Sequence, residues 1–204
     1  MIEVPVKLPR AIFAVICHPH PLHGGTLNNK VVYTMARTFQ DFGAATIRFN
    51  FRGVGGSEGG FGNGLGETDD ALAAIAYGRN RWPSAALWLG GFSFGGAVVI
   101  RAASLTKAAR LVTVAPAISR VDVSTVALPD CPWLIIQGDA DEVVDPQEVV
   151  AWAAQLTPSP QVTVLAGVGH FFHGHLHELR AAITEYLKTN KNPDELAAQP
   201  GYGS

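Results

Sequence analysis

The chain has 204 residues, 48% of them hydrophobic and 16% charged, with a formal net charge of −2. That is enough apolar chain for one soluble domain with a substantial core. The balanced charge leaves no electrostatic footprint for nucleic acid or an anionic membrane surface, and no apolar run reaches a membrane-spanning length. Met1–Lys7 carries an early acid and no secretory signal pattern, and Cys17 and Cys131 are too few for a disulfide framework. The expected setting is the cytoplasm, with both cysteines as small buried residues.

Strand-like and helix-like runs alternate along the chain, which predicts an α/β fold: a mostly parallel central sheet with helices on both faces. Residues 2–8 alternate weakly and are expected to add one antiparallel edge strand. Strands are predicted over 12–17, 44–49, 85–90, 111–115, 133–137 and 161–165, and helices over 28–42, 68–80, 95–106, 145–156 and 175–188. Asn28 and Asn29 are capping residues of the expected type before the first helix. Glu67, Asp69 and Asp70 crowd the start of the next, where acids favour the helix dipole. One domain is expected over 1–189, followed by a polar, mobile tail over 190–204.

The most informative stretch is Gly91-Phe92-Ser93-Phe94-Gly95. It stands between the strand run Ala85–Gly90 and the small-residue helix run Gly96–Ala103. Gly-x-Ser-x-Gly between a strand and a helix is a nucleophile elbow, with glycines where strand and helix backbones approach closely. An acid and a base should follow in chain order. The strand at 133–137 opens into Gly138-Asp139-Ala140-Asp141, and the strand at 161–165 leads to Gly167-Val168-Gly169-His170. Open parallel sheets build their sites at that carboxyl edge. A serine hydroxyl needs an adjacent base, and a histidine base needs an acid to hold its tautomer. Ser93, Asp141 and His170 are therefore the candidate nucleophile, acid and base. Asp139 is the alternative acid, and Asp145 before Pro146 reads as a helix N-cap.

From about residue 12 to about 188 the chain resembles the α/β-hydrolase superfamily. The block His18-Pro19-His20-Pro21-Leu22-His23-Gly24-Gly25-Thr26, with Arg48-Phe49-Asn50-Phe51-Arg52-Gly53-Val54-Gly55, is similar to small lidless serine hydrolases of the dienelactone-hydrolase-like branch. The best-known dienelactone enzymes carry cysteine as nucleophile where this chain has Ser93. The resemblance implies hydrolysis of a small-molecule acyl substrate, a carboxylic ester or thioester, through an acyl-enzyme and without a cofactor. Its Gly-x-x-Asp-x-x-Val pattern falls on Gly138, Asp141 and Val144, which selects Asp141. It also implies an oxyanion hole from the amide of Phe94 and one from the loop after the first long strand. Pro19 and Pro21 have no N–H, which leaves His20 or Leu22. Only Pro116 to Pro132 connect the strands at 111–115 and 133–137, too little for a lid domain.

Two other classes compete. His18, His20 and His23 in one loop and His173, His175 and His177 in another could serve a metal-dependent hydrolase, although no acidic partner falls at H-x-H-x-D-H or H-E-x-x-H spacing, so no metal site is expected. A non-catalytic α/β domain with a relic elbow is the third. The run Gly53–Gly60 fits no phosphate-loop spacing and reads as a tight turn, with Arg48 and Arg52 as ion-pairing residues beside it. His18 and His23 are expected at the substrate entrance. Phe92, Phe94, Phe171 and Phe172 suit either pocket or core.

Overall fold

The computed structural model describes residues 1–5, 11–124 and 127–190. Seven strands form one sheet: β1 (Ile2–Glu3), β2 (Ile12–Cys17), β3 (Ala45–Arg48), β4 (Ala86–Phe92), β5 (Arg110–Val114), β6 (Trp133–Gly138) and β7 (Gln161–Leu165). Their spatial order is β1-β3-β2-β4-β5-β6-β7, with β1 antiparallel to β3 and every other pair parallel. Four α-helices lie between strands, α1 (Lys30–Asp41), α2 (Leu65–Arg81), α3 (Phe94–Ser104) and α4 (Pro146–Ala154), and α5 (Leu176–Thr189) follows β7.

Strands buried on both faces read as continuous apolar runs, and side-chain alternation sends successive residues to opposite cores. Phe13, Val15 and Cys17 of β2, with Trp133 and Ile135 of β6, join one core, which α2, α3 and α4 cover through Ala71, Ile75, Val98 and Val149. Ile12, Ala14, Ile16, Leu134 and Ile136 join the other, which α1 and α5 cover through Met35, Phe39, Leu179 and Ile183. Parallel register aligns the carboxyl ends of β2 and β4, Cys17 pairing with Gly91, and those of β6 and β7, Gly138 pairing with Leu165. That shared edge is where Ser93, Asp141 and His170 emerge.

Two elements differ from expectation by more than two residues at an end. The edge strand is only Ile2–Glu3; of the expected 2–8, residues 6–8 lie outside the described residues, as does the expected tail beyond Asn190. Helix α2 begins at Leu65 rather than at 68, because Glu67 folds back to accept from the amides of Gly62 and Gly64, each at 2.8 Å. This fully buried carboxylate satisfies donors ahead of the first turn, and Gly64 supplies the left-handed φ of 89° required there. Arg48 and Arg52 are both ion-paired. Arg48 is buried and bridges β3 to Glu3 of β1 at 2.9 Å, and Arg52 holds Asp70 of α2 at 2.8 Å.

Candidate active site

The turn between β4 and α3 is held from all sides. Ser93 has φ 55° and ψ −119°, a conformation that costs on the order of 1–3 kcal/mol and persists only where surroundings dictate it. Those surroundings are backbone hydrogen bonds. The Ser93 amide donates to Val114 O at 2.9 Å, and its carbonyl accepts from Gly96 at 2.9 Å and Ala117 at 3.0 Å. Both motif glycines are sterically required. A Cβ on Gly91 would lie 2.2 Å from Gly95 O, and one on Gly95 would lie 2.5 Å from Cys17 O and 2.4 Å from His18 O.

From this turn Ser93 Oγ meets His170 Nε2 at 3.0 Å, and His170 Nδ1 meets Asp141 Oδ2 at 2.8 Å. Ser93 is 6% exposed and His170 2%. Asp141 Oδ1 accepts from the amides of Val143 and Val144, each at 2.8 Å. Burial alone would raise the Asp141 pKa. The hydrogen bonds from His170, Val144 and Val143 outweigh it and hold the carboxyl below its ordinary range. Asp141 is thus a carboxylate at neutral pH, which makes His170 Nδ1 the protonated nitrogen and leaves Nε2 to accept from Ser93. The other two aspartates are occupied elsewhere. Asp139 Oδ1 accepts from Gly167 N at 2.6 Å, tying the β6 turn to the β7 turn, and Asp145 caps α4 by accepting from Gln147 N at 2.9 Å. Glu142 accepts from His170 N at 3.2 Å and fixes the histidine's backbone.

Beside the elbow lies the loop after β2. The His20 carbonyl accepts from His23 and Gly25, each at 3.1 Å, and curls the chain so tightly that a Cβ on Gly25 would stand 2.1 Å from Pro19 O. The Leu22 amide donates to His20 Nδ1 at 3.2 Å, and the Leu22 residue is 68% exposed. Among the described residues the His20 amide donates to no protein acceptor. The His20 ring packs 5.0 Å from Phe94, the residue after Ser93, and stacks on His23 at 4.4 Å. Phe94 opens α3, so its amide is one of the orphan donors at a helix N-terminus.

His18 departs from expectation. It does not line an entrance; it is 0% exposed, with Nδ1 donating to Pro19 O at 2.7 Å and Nε2 accepting from Phe51 N at 3.0 Å. Burial lowers its pKa to about 4, so the ring stays neutral and joins the β2 loop to the β3 loop. His23 is exposed at the surface of its loop. In the second histidine group, His175 pairs with Glu178 at 3.0 Å, and His173 and His177 are exposed. Among the described residues no three His, Cys, Asp or Glu side chains are placed together to hold a metal ion. Phe92, Phe94 and Phe172 are core residues, whereas Phe171 is 47% exposed and lies 5.1 Å edge-on from the His170 ring.

Residues 20–129 match the family described as serine aminopeptidase, S33. The chain belongs to this family of α/β serine hydrolases. An α/β serine hydrolase homologue from Coxiella burnetii is 43% identical, with 92% of this chain and 90% of that one covered and a TM-score of 0.89. A lidless α/β serine hydrolase from Xanthomonas campestris is 41% identical over 92% of this chain and 86% of that one, with a TM-score of 0.88. An uncharacterized protein of Rickettsia prowazekii is 36% identical over 191 residues, 89% of this chain and 80% of its own length. The protein is thus a hydrolase with the α/β-hydrolase fold, and its described residues include no lid domain and no helix long and apolar enough to cross a membrane.

Proposed function

We propose that the protein hydrolyses carboxylic esters or thioesters of small molecules through an acyl-enzyme on Ser93. The observation that carries this reading is the unbroken chain from Ser93 Oγ through His170 to Asp141, at 3.0 and 2.8 Å, on a strained elbow. As Ser93 Oγ attacks the carbonyl carbon, His170 Nε2 takes its proton and Asp141 stabilises the imidazolium that forms. The tetrahedral oxyanion accepts from the Phe94 amide at the positive end of α3 and from the His20 amide, which is uncommitted where that of Leu22 is not. His170 then protonates the leaving alcohol or thiol. Water enters, gives its proton to the same nitrogen and attacks the acyl carbon, and the acid leaves as Ser93 recovers its proton.

Among the described residues no lid domain covers the site, which suits a small acyl group, free or on a larger carrier. Leu22 and Phe171 supply apolar surface near it. Cys131 is half-buried with its pKa pushed up to about 11 by burial, and Cys17 is fully buried, which fits a protein of the cytoplasm. A second reading, amide cleavage at a peptide amino terminus, follows from the description of the family. The test is a panel of 4-nitrophenyl esters, acyl thioesters and amino-acid 4-nitroanilides of graded size, run with and without chelator. Ester or thioester turnover that survives chelation and falls about 10⁴-fold or more in Ser93→Ala supports the reading. Turnover of the anilides alone moves the assignment to peptides, and loss of activity in chelator sinks the serine mechanism.

A further inference from the structure

We propose that Gln137 is a positioning residue for Asp141, its carboxamide holding the carboxylate in the orientation that serves His170. The inference rests on the reaction assigned above and adds a residue to it.

Gln137 follows Trp133, Leu134, Ile135 and Ile136 in β6, which alternate between the two cores. By that alternation position 137 faces the Trp133 and Ile135 side, where an apolar residue is expected. Instead a fully buried carboxamide stands there. Its Nε2 donates to Asp141 Oδ2 at 3.0 Å and to Gly138 O at 3.2 Å, so both amide protons go to the turn that carries the acid. Turning the amide over would set Oε1 against a carboxylate and a carbonyl, so the neighbours fix its orientation. Oε1 is then left buried with no hydrogen-bond partner among the described residues.

An unpaired buried carbonyl is destabilising, and a methionine of similar length would fill the site without it. What the glutamine contributes is therefore its hold on Asp141. Oδ1 is anchored by the Val143 and Val144 amides, while Oδ2 is shared between His170 and Gln137. The second donor fixes the carboxylate plane and draws charge from the oxygen facing the imidazole. Removing it leaves Asp141 free to tilt and places more negative charge on the His170 hydrogen bond. The first effect lowers turnover. The second favours the imidazolium, so the acidic limb of the pH profile moves up. Three other titratable groups stand around this corner: His170 itself, Glu142 on the His170 amide and Asp139 on the Gly167 amide. His170 shares Asp141 Oδ2 with Gln137, whereas the contacts of Glu142 and Asp139 are made elsewhere.

The experiment measures kcat, KM, their pH dependence and Tm for Gln137→Met and Gln137→Glu in the full chain, with a 4-nitrophenyl ester as substrate and Ser93→Ala alongside. For Gln137→Met we expect kcat about 10- to 100-fold lower with KM little changed. Its acidic limb should move up by about half to one pH unit, and its Tm should be unchanged or higher. Gln137→Glu should recover turnover where its carboxyl is protonated and can donate, and lose it as that carboxyl ionises beside Asp141. Wild-type kcat and an unmoved limb in Gln137→Met would overturn the proposal. So would losses that track Tm in both variants with no change in the pH profile. If Gln137→Met does not fold, the low-pH recovery of Gln137→Glu decides, and its absence counts against the proposal. A Ser93→Ala variant that remains active would instead remove the reaction on which the inference rests.

Discussion

Two buried histidines stand at the carboxyl edge of the sheet and share a geometry but not a chemistry. His18 and His170 each use both ring nitrogens in hydrogen bonds of 2.7 to 3.0 Å. The partners of His18 are a backbone carbonyl and a backbone amide. Those of His170 are a carboxylate and a hydroxyl. A ring that accepts from an amide at Phe51 cannot take a second proton without breaking that bond, and no carboxylate bonds to its other nitrogen to stabilise the cation. A ring facing Asp141 on one side and Ser93 Oγ on the other is arranged to take a proton and return it. Burial alone therefore does not mark a candidate base; the atoms at both ends of the ring do.

The comparison breaks most sharply under substitution. His170→Ala should lower kcat by about 10⁴- to 10⁶-fold with little change in Tm. His18→Ala should leave kcat within about tenfold but destabilise the fold by about 1–3 kcal/mol, since the Phe51 amide is left buried and unpaired. Steady-state kinetics and denaturant titration on both variants check this crossed pattern. If both variants lost activity equally at unchanged stability, the two histidines would not differ in kind.

Acid sharpens the same contrast. The folded-state pKa of His18 lies near 4 against 6.5 for a free histidine, so between these values the unfolded chain binds the extra proton. Stability should be full above pH 6.5 and fall on acidification toward pH 4 by up to about 3 kcal/mol from this ring, and that slope should vanish in His18→Gln. Asp141, whose pKa is depressed, adds a further loss only at lower pH, as its folded-state carboxyl becomes protonated. Urea titrations across the range measure both. A slope retained in His18→Gln would assign the loss to other groups.

A smaller effect on activity separates the two amides of the β2 loop. His20 has φ −52°, which proline adopts without strain, so His20→Pro removes one N–H from a turn that keeps its shape. Against His20→Ala as control, it should cost about 10²- to 10³-fold in kcat, the usual loss of one oxyanion donor. Leu22→Pro should cost little, because that amide already donates to His20 Nδ1. The opposite ranking would move the second donor to Leu22.

Much of the fold was legible in the sequence because parallel strands buried on both faces appear as short unbroken apolar runs, as Ile12–Cys17 and Trp133–Ile136 do. The elbow was legible because its glycines answer a local steric demand. What escaped depends on partners distant in the chain. The role of His18 is set by Phe51, 33 residues away, and no local pattern distinguishes a histidine that joins two loops from one that lines an entrance. The early start of α2 turns on Glu67 reaching back to Gly62 and Gly64, where the sequence suggested only an acid favouring the helix dipole. His20 and Leu22 could not be separated because a ring nitrogen, invisible to backbone reasoning, occupies one of the two amides. Gln137 gave no signal, since a polar residue ending a buried strand is ordinary until its partner is seen.

Whether Ser93 is an activated nucleophile is read from the intact mass of the protein after incubation with a fluorophosphonate, followed by peptide mapping. An activated Ser93 gives a single adduct on that residue, absent in Ser93→Ala and strongly slowed in His170→Ala. A wild-type protein that stays unlabelled under conditions that fully label a control serine hydrolase, or that carries its adduct on another residue, would contradict that activation.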